Sequence, residues 1–206
     1  MLAEQLRRGL DAMGLALDSG CQERLLAYLA LLSRWNRRYN LTAVREPEAM
    51  VTRHLLDSLS LLPFLREGSL IDVGSGAGLP GVPIALVQPW REVTVLDSNG
   101  KKTRFLDHLK LTLEIPRLSV VKARCEDYRP ERPFDLLTSR AFAALGDMIA
   151  GCQHLLAPGG EYLAMKGMHP QEEIDDLPSS VRLLAVDPVE VPGLDEARCI
   201  VRMSPC

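Results

Sequence analysis

The chain has 206 residues, of which 47% are hydrophobic, enough for the core of one domain or of one domain with a small extension. No apolar run approaches the ~18 residues that a membrane span needs, and the first residues predict a charged helix without the apolar region of a signal peptide. The net charge of −3 is not that of a globally basic protein, so any RNA-binding surface must be a local patch.

The cysteines argue against a disulfide framework or a zinc site. Their number is odd, and no pair has the CxxC spacing that metal-binding and redox motifs use. We therefore expect a protein of the reducing cytoplasm that binds no metal and does not enter a membrane. The five cysteines are Cys21, Cys125, Cys152, Cys199 and Cys206.

The first third of the chain has a helical pattern. Apolar residues recur at steps of three and four over residues 21–39, and Ser19-Gly20 is a plausible start for this helix. A second helix is predicted over residues 48–65, opened by Pro47 and closed by Gly68. We expect residues 1–66 to form an N-terminal helical extension packed on the domain that follows.

From Ser69 onward, β-rich runs alternate with helical runs. This order predicts an α/β fold with a mostly parallel sheet covered on both faces, over a domain of residues 67–206. The last two β-rich runs, 181–191 and 198–203, have turn residues but no helix between them and predict a terminal antiparallel hairpin. The other predicted strands are 70–73, 92–97, 118–122, 134–138 and 161–165, with helices over 82–87, 101–113 and 145–156.

A glycine-rich loop at residues 72–81 joins the first predicted strand to a helix. No lysine follows its glycines as a P-loop requires, and the glycines are one place out of register for the dinucleotide motif GxGxxG. The loop instead matches D-x-G-x-G-x-G at Asp72, Gly74, Gly76 and Gly78, which resembles motif I of class I methyltransferases. S-adenosylmethionine carries an ammonium and a sulfonium, so an acid at the strand end helps its binding, whereas it would repel a pyrophosphate.

Acidic residues follow the next two strands. Asp97 stands about where Rossmann-like folds place the acid that binds the ribose hydroxyls. After the third strand, Glu126 or Asp127 is a candidate acceptor for the adenine amino group, and Cys125 a candidate wall for its ring. A charged surface loop is the alternative for this segment. Residues 156–160 resemble the L-x-P-G-G turn that precedes the fifth strand in many class I methyltransferases.

Two kinds of nucleic-acid methylation are disfavoured. Exocyclic-amine enzymes carry Pro-Pro and an aromatic residue after the fourth strand, where this chain has Ser139-Arg140. Enzymes that methylate C5 of pyrimidines use a nucleophilic cysteine, often after a proline, and only Cys206 at the chain end follows one.

Seven segments in the same order resemble the ribosomal RNA small subunit methyltransferase G family, also called glucose-inhibited division protein B. They are WNRRYNLT at 35–42, RHLLDS at 53–58, DVGSGAGLPGVP at 72–83, LDS at 96–98, KKTRFL at 101–106, SRAFA at 139–143 and KG at 166–167. Cys125 stands where the family is commonly aliphatic. The resemblance implies methylation of N7 of one guanine in 16S ribosomal RNA of the small ribosomal subunit. It also implies cofactor contacts at Gly74, Leu79, Cys125, Glu126 and Arg140, beside those expected at Gly76 and Asp97.

This reaction requires no general base, because N7 of neutral guanine already has a free lone pair. We therefore expect catalysis by positioning, with Arg140 and Lys166 contacting RNA or guanine O6 and leaving N7 free. A structural ion pair is the alternative for these cations, and His54 is expected to be packed and hydrogen-bonded rather than catalytic.

Basic residues suited to phosphate contacts form two groups. Arg34, Arg37, Arg38, Arg45 and Arg53 belong to the helical third, and Lys101, Lys102 and Arg104 open a helix near the cofactor loop. Trp35 and Tyr39 lie on the apolar stripe, which favours core packing over base stacking.

Three other functions are compatible with parts of the pattern. They are a small-molecule methyltransferase, a silent RNA-binding module that retains the fold, and a nicotinamide-dependent oxidoreductase, against which the glycine register argues. Nothing in the sequence requires more than a monomer.

Overall fold

A seven-stranded sheet organises the computed structural model, which describes residues 1–140, 142 and 144–206. The strands are β1 (Leu70–Val73), β2 (Val93–Leu96), β3 (Leu118–Val121), β4 (Phe134–Ser139), β5 (Leu156–Lys166), β6 (Val181–Val189) and β7 (Arg198–Pro205). The α-helices are α1 (Leu2–Ala12), α2 (Ser19–Tyr39), α3 (Pro47–Met50), α4 (Asp57–Leu59), α5 (Gly81–Val87), α6 (Gly100–Thr112), α7 (Leu145–Cys152) and α8 (Gln171–Asp175).

The strand order across the sheet is β3-β2-β1-β4-β5-β7-β6. Strands β1 to β5 are parallel, and β7 runs antiparallel to both β5 and β6. The predicted α/β fold, with its mostly parallel sheet, terminal antiparallel hairpin and preceding helices, is confirmed. Because β1 pairs with β2 on one side and with β4 on the other, the chain order reverses at β1. In open α/β sheets a crevice for ligands forms at this point.

The fifth strand differs from its prediction, because it begins at Leu156 rather than at residue 161. Phe134 pairs with Leu156 and Leu136 with Glu161, so β5 advances five residues while β4 advances two. The segment expected as a turn before the strand is therefore an irregularity inside it. Gly159 has a φ of 76°, a conformation that favours glycine.

The prediction of one continuous helix over residues 48–65 is wrong. The structure has α3, then a π-helical segment over Val51–Leu56, then α4, and finally a 3₁₀ turn over Leu62–Phe64. Five of the six π-helical residues are buried, on more than one side of the segment. Tertiary burial, rather than a one-sided apolar stripe, therefore determines the local winding, and π-helical turns often occur at functional sites. The helix predicted over 145–156 likewise ends early, at Cys152, and continues as a 3₁₀ turn over Gln153–Leu155.

The N-terminal helices pack directly on one face of the sheet. Leu6 of α1 and Leu25 of α2 belong to the same buried cluster as Leu70 of β1 and Val95 of β2. The opposite face forms a second cluster with α7. The helical segment is therefore positioned to support the loops at the sheet edge, while the division of the chain at residues 66 and 67 stays a prediction.

Tyr28 of α2 makes the most direct link between the N-terminal helices and the glycine loop. Its side chain is fully buried, and its hydroxyl donates a hydrogen bond of 3.0 Å to the carbonyl of Ala77. A buried carbonyl that loses its partner costs about 1–3 kcal/mol. Tyr28 therefore stabilises the loop from behind.

Replacement of Tyr28 by phenylalanine should lower the free energy of unfolding by about 1–3 kcal/mol, because the Ala77 carbonyl loses its donor. Urea denaturation of wild type and variant measures the difference. Tyr128→Phe is the matched control, since it removes the hydroxyl of a half-buried tyrosine that packs on the second hydrophobic cluster. Equal stability of wild type and Tyr28→Phe would contradict the assigned role.

Candidate active site

A cleft of about 530 Å³ lies at the carboxyl ends of β1, β4 and β5. Glycine-loop residues form one wall, and charged residues from the helical segment and the later strands form the other. Its lining residues are Leu41, Thr42, Val44, Arg53, His54, Asp57, Gly74, Ser75, Gly76, Ala77, Leu79, Arg140, Met165, Lys166, Gly167 and Arg198. Five of the predicted site residues meet here: Gly74, Gly76, Leu79, Arg140 and Lys166.

The glycine loop combines one crowded position with one open position. Gly74, Gly76 and Gly78 all have positive φ, between 60° and 94°. A Cβ atom at Gly78 would come within 2.4 Å of Val82 and 2.7 Å of Leu106, so only glycine fits against the helices behind the loop. A Cβ at Gly76 would have nothing closer than 3.9 Å. The loop thus packs tightly on its inner side and leaves backbone accessible on its outer side, as a ligand cradle requires.

Asp72 supports this loop from inside the sheet. Its side chain is fully buried, and Oδ2 accepts a hydrogen bond of 2.8 Å from the amide of Gly81. Within the described part of the chain, Oδ1 has no hydrogen-bond partner. Burial raises the pKa of this carboxyl to about 7. An unpaired acidic oxygen behind the loop favours a cationic ligand over a phosphate.

Asp97 lies at the end of β2 and bonds directly to the loop. Its Oδ2 accepts from the Gly76 amide at 2.9 Å and from Lys102 Nζ at 3.3 Å, while Oδ1 accepts from the Asn99 amide at 2.8 Å. The residue is therefore placed beside the open face of Gly76. Its role in binding ribose stays a prediction.

Cys125 and Glu126 follow β3 and do not line the cleft as the described residues define it. Cys125 is buried against α7, and a Cβ built at Gly151 would come within 3.3 Å of its Sγ. Burial raises the pKa of the Cys125 thiol, which keeps it neutral. Glu126 is exposed at the same edge of the sheet. The expected adenine contacts of both residues stay predictions.

Arg140, Asp57 and Arg198 form a charged cluster across the cleft. Asp57 is 4% exposed, and its two oxygens accept from Arg140 Nη1 at 2.5 Å and from Arg198 Nε at 3.0 Å. Arg140 also donates to the carbonyl of Arg53 at 3.2 Å. One buried carboxylate thus holds two guanidinium groups at the cleft wall. The sequence reasoning named neither Asp57 nor Arg198 as a site residue, although Asp57 belongs to the RHLLDS segment.

Lys166 lies at the end of β5, where an acid from α8 holds it. Its Nζ donates to the two oxygens of Glu173 at 2.7 and 3.1 Å and to the Phe142 carbonyl at 3.4 Å. Glu173 also accepts from the Leu145 amide at 2.7 Å, which connects Lys166 to the start of α7. Both Arg140 and Lys166 therefore make ion pairs while facing the cleft. Ala141 and Ala143 of the predicted SRAFA segment lie outside the described residues.

His54 is buried at the cleft wall, as predicted for a packed and hydrogen-bonded residue. Its Nε2 lies 3.0 Å from Oγ1 of Thr42, and the residue is 4% exposed. Burial lowers the pKa of the imidazole to about 4, so the ring is neutral at pH 7. His54 therefore orders the 42–44 loop and does not add charge to the cleft.

The fold and this cleft together define a Rossmann-like methyltransferase architecture, and solved structures share it. The glycopeptide N-methyltransferase MtfA complexed with S-adenosylmethionine aligns with a TM-score of 0.64 and 12% identity, over 74% of this chain and 87% of that chain. TrmN from Thermus thermophilus aligns with a TM-score of 0.58 and 18% identity, over 83% and 53%. At these identities the likeness concerns the fold.

Sequence similarity identifies the family. The profile of rRNA small subunit methyltransferase G matches residues 21–201. Ribosomal RNA small subunit methyltransferase G of Pseudomonas aeruginosa strain LESB58 is 52% identical over 95% of this chain and 92% of its own length. The protein of the same description from Marinobacter nauticus is 50% identical over 94% and 91%. The chain belongs to the rRNA small subunit methyltransferase G family, which confirms the resemblance found in the sequence.

Asp57→Asn should lower the free energy of unfolding by roughly 3 kcal/mol, because two arginines lose the buried charge that they share. Glu196→Gln is the matched control, since it removes the carboxylate of an exposed ion pair with Arg53 at the same cleft. That pair should contribute no more than about 1 kcal/mol. Chemical denaturation at neutral pH measures both values. Equal losses in the two variants would refute the role of the buried cluster.

The buried imidazole of His54 should make stability depend on acid. Its pKa in the folded protein is about 4, below the usual 6.5, so between these values the unfolded chain binds more protons. Stability contributed by the neutral ring is complete above pH 6.5 and is lost as pH falls towards 4, by about 3 kcal/mol in all. Asp72, whose pKa is raised, changes the stability with pH in the opposite direction. The prediction therefore concerns the difference in stability between wild type and a His54 variant, since both proteins contain Asp72.

His54→Gln should therefore show a smaller loss of stability than wild type between pH 6.5 and 4, measured by urea denaturation at each pH. His169→Gln, which removes an exposed histidine, serves as the control and should follow the wild-type curve. A wild-type curve parallel to that of His54→Gln would contradict the burial argument.

Proposed function

We propose that this protein transfers the methyl group of S-adenosylmethionine to N7 of a guanine in 16S rRNA of the small ribosomal subunit, guanine 527 in the family. The observation that carries the proposal is one cleft in which an open glycine loop faces the cluster of Arg140, Asp57 and Arg198. The relatives that share half of this sequence are described as ribosomal RNA small subunit methyltransferases. A cofactor cradle opposite a cationic wall is suited to an anionic polymer substrate.

The residues around the glycine loop fit this cofactor. The backbone of Gly74, Gly76 and Leu79 would hold the methionine part, and the unpaired oxygen of Asp72 behind the loop favours its positive charge. Asp97 would accept from the ribose hydroxyls, and Cys125 with Glu126 would bound the adenine at the end of β3. When bound, the cofactor supplies an electrophilic methyl group on a sulfonium.

The acid–base groups at the site support a reaction without a general base. His54 is neutral, buried and bonded to Thr42, and Asp72 lies behind the loop and outside the lining of the cleft. Guanine N7 needs no deprotonation, because its lone pair is free in the neutral base. Catalysis then rests on alignment of N7 with the methyl group, an effect that contributes ~7–11 kcal/mol in favourable systems.

Arg140 and Lys166 provide the substrate contacts in this proposal, and the structure adds Arg198 as a third cation. Asp57 holds Arg140 and Arg198, and Glu173 holds Lys166, so all three charges are fixed at the cleft wall. A donor to guanine O6 orients the base, and N7 stays free for the methyl group. Fixed donors lose little further freedom when the substrate binds.

We propose further that the enzyme acts as a monomer in the cytoplasm, with residues 1–66 as an N-terminal helical extension and residues 67–206 as the catalytic domain. Among the described residues, no helix combines the length and apolar character needed to cross a membrane. The packing of α1 and α2 on the sheet supports a single catalytic unit.

Methyl transfer from labelled S-adenosylmethionine to small ribosomal subunits from cells lacking this gene tests the proposal. The modified nucleoside is identified by mass, and its position by cleavage at 7-methylguanine. Label at one guanine N7 supports the function. Cofactor binding without label in subunits or free 16S rRNA would favour a small-molecule methyltransferase or a silent RNA-binding module instead.

Arg140→Ala should lower kcat about 10²-fold, because loss of one preorganised donor commonly has an effect of this size. The transfer assay on small subunits measures it. Arg132→Ala, which removes an exposed arginine just before β4 at the opposite edge of the sheet, should retain wild-type turnover. Full turnover in Arg140→Ala would refute a role for this residue in the reaction.

A further inference from the structure

A second concave surface lies between α2 and α6, outside the cleft. This α2–α6 groove has a volume of about 290 Å³ and is lined by Arg34, Trp35, Arg38, Tyr39 and His108. Three of the five lining side chains are aromatic rings, and two are guanidinium groups. The composition combines ring faces for stacking with charges for phosphates.

The rings form a partly exposed stack anchored in the core. The centroid of Trp35 lies 5.2 Å from those of both Tyr39 and His108, with planes tilted by 33° in each case. It also lies 5.6 Å from the fully buried ring of Phe105. His108 is exposed, and Trp35 and Tyr39 are half-buried. Trp35 and Tyr39 both pack against the hydrophobic core as predicted, but each keeps part of its ring exposed.

The two arginines of the groove have no acidic partner within the described part of the chain. Arg34 and Arg38 are exposed, and in the ranges that the structure describes neither forms an ion pair or a side-chain hydrogen bond. Arginines elsewhere in the molecule, such as Arg7 and Arg53, do pair with carboxylates. Uncompensated guanidinium groups beside aromatic rings attract anions and can stack on bases.

The helix pair that forms the groove ends near the active site. Arg24, near the start of α2, donates to the carbonyl of Leu113 after the end of α6, and Trp35 packs on Phe105. The two helices are therefore antiparallel, and the last turn of α2 lies beside the first turns of α6. Leu41 and Thr42, which follow α2, line the cleft, and Asp97, which precedes α6, holds Gly76.

This arrangement joins the two basic groups of the sequence. Arg37 and Arg38 end α2, and Lys101, Lys102 and Arg104 lie in the first turns of α6, at the same end of the helix pair. The two basic groups thus lie at the end of the helix pair that is near the cofactor loop. Asp107 is an exposed acid on α6 and the main opposing charge of that helix.

We propose that the α2–α6 groove binds a single-stranded nucleotide of the RNA substrate, next to the segment that carries the target guanine. Its base stacks on the Trp35, Tyr39 and His108 rings, and its phosphates contact Arg34 and Arg38. The inference rests on the proposed function and extends it from the cleft to a second docking point. A stacked base gives sequence-tolerant affinity, and the docking point fixes the distance of the bound strand from the cofactor.

A protein with Trp35 as its sole tryptophan tests the groove directly. Trp90→Phe removes the other tryptophan, which is exposed at the opposite edge of the sheet. Titration with an RNA decamer of mixed sequence should quench Trp35 emission as a base stacks beside it. In the same background, His108→Ala should weaken decamer binding about tenfold and reduce the quenching.

Arg34→Ala combined with Arg38→Ala should weaken binding of the decamer at least tenfold. The slope of log K against log salt should fall by about 1.4, because two phosphate contacts to a single strand are lost. The control carries Arg117→Ala and Arg132→Ala, two exposed arginines at the opposite edge, and should bind like the parent. The parent Trp90→Phe, the His108→Ala variant and the two double variants should bind S-adenosylhomocysteine with the same affinity, which verifies that all four are folded.

Two results would overturn the proposal that the groove binds RNA. One is equal decamer binding by the groove and control double variants, and the other is decamer binding without any change in Trp35 emission. Methyl transfer to small ribosomal subunits, measured on the same proteins, separates this failure from that of the proposed function. If the groove variants transfer methyl groups with an unaltered KM, the proposed RNA binding by the groove is refuted and the proposed reaction is retained. Groove-dependent decamer binding without transfer by the parent refutes the proposed reaction and retains the groove.

Discussion

Hydrogen bonds from three side chains hold the glycine loop in place, and the site depends on them. Tyr28 bonds to the Ala77 carbonyl, Asp72 to the Gly81 amide and Asp97 to the Gly76 amide. They come from a helix and from two neighbouring strands, so the loop is held from behind and from one side. Only the outer face of its backbone stays open. The N-terminal helices therefore support the glycine loop, even though none of their residues belongs to a glycine motif.

On the cleft wall that faces the glycine loop, the cations are held by acids from other structural elements. Asp57 comes from α4, whereas its partner Arg140 directly follows β4 and its partner Arg198 begins β7. Glu173 of α8 holds Lys166 of β5. Burying such charges is unfavourable in itself, so the pairs are better explained by orientation of donors than by stability. The positions of these cations at the cleft wall are thereby fixed.

Much of this fold was predictable from the sequence, because buried parallel strands are short apolar runs and glycine loops follow them at fixed places. The positions of Gly74, Gly76, Asp97 and Arg140 at one sheet edge follow from that order alone. The pairing of Asp57 with Arg198 did not, because 141 residues separate them and no local pattern encodes the contact. The π-helical segment was missed for a related reason, since burial on several sides erases the amphipathic period. Trp35 shows a limit of predictions from helical periodicity. An apolar residue on the buried side of a helix can still have one face of its ring exposed.

The length of α2 has a geometric consequence. Tyr28 touches the glycine loop and Trp35 forms the ring stack, seven residues further along one continuous helix. Seven residues are almost two full turns, so both side chains leave the same face about 10.5 Å apart along the axis. Inserting one residue between them would turn Trp35 by about 100° around the helix relative to Tyr28. The helix thus fixes both the distance and the relative orientation between Tyr28 at the glycine loop and Trp35 at the outer surface. Substitutions in this part of α2 should preserve that geometry far better than insertions or deletions.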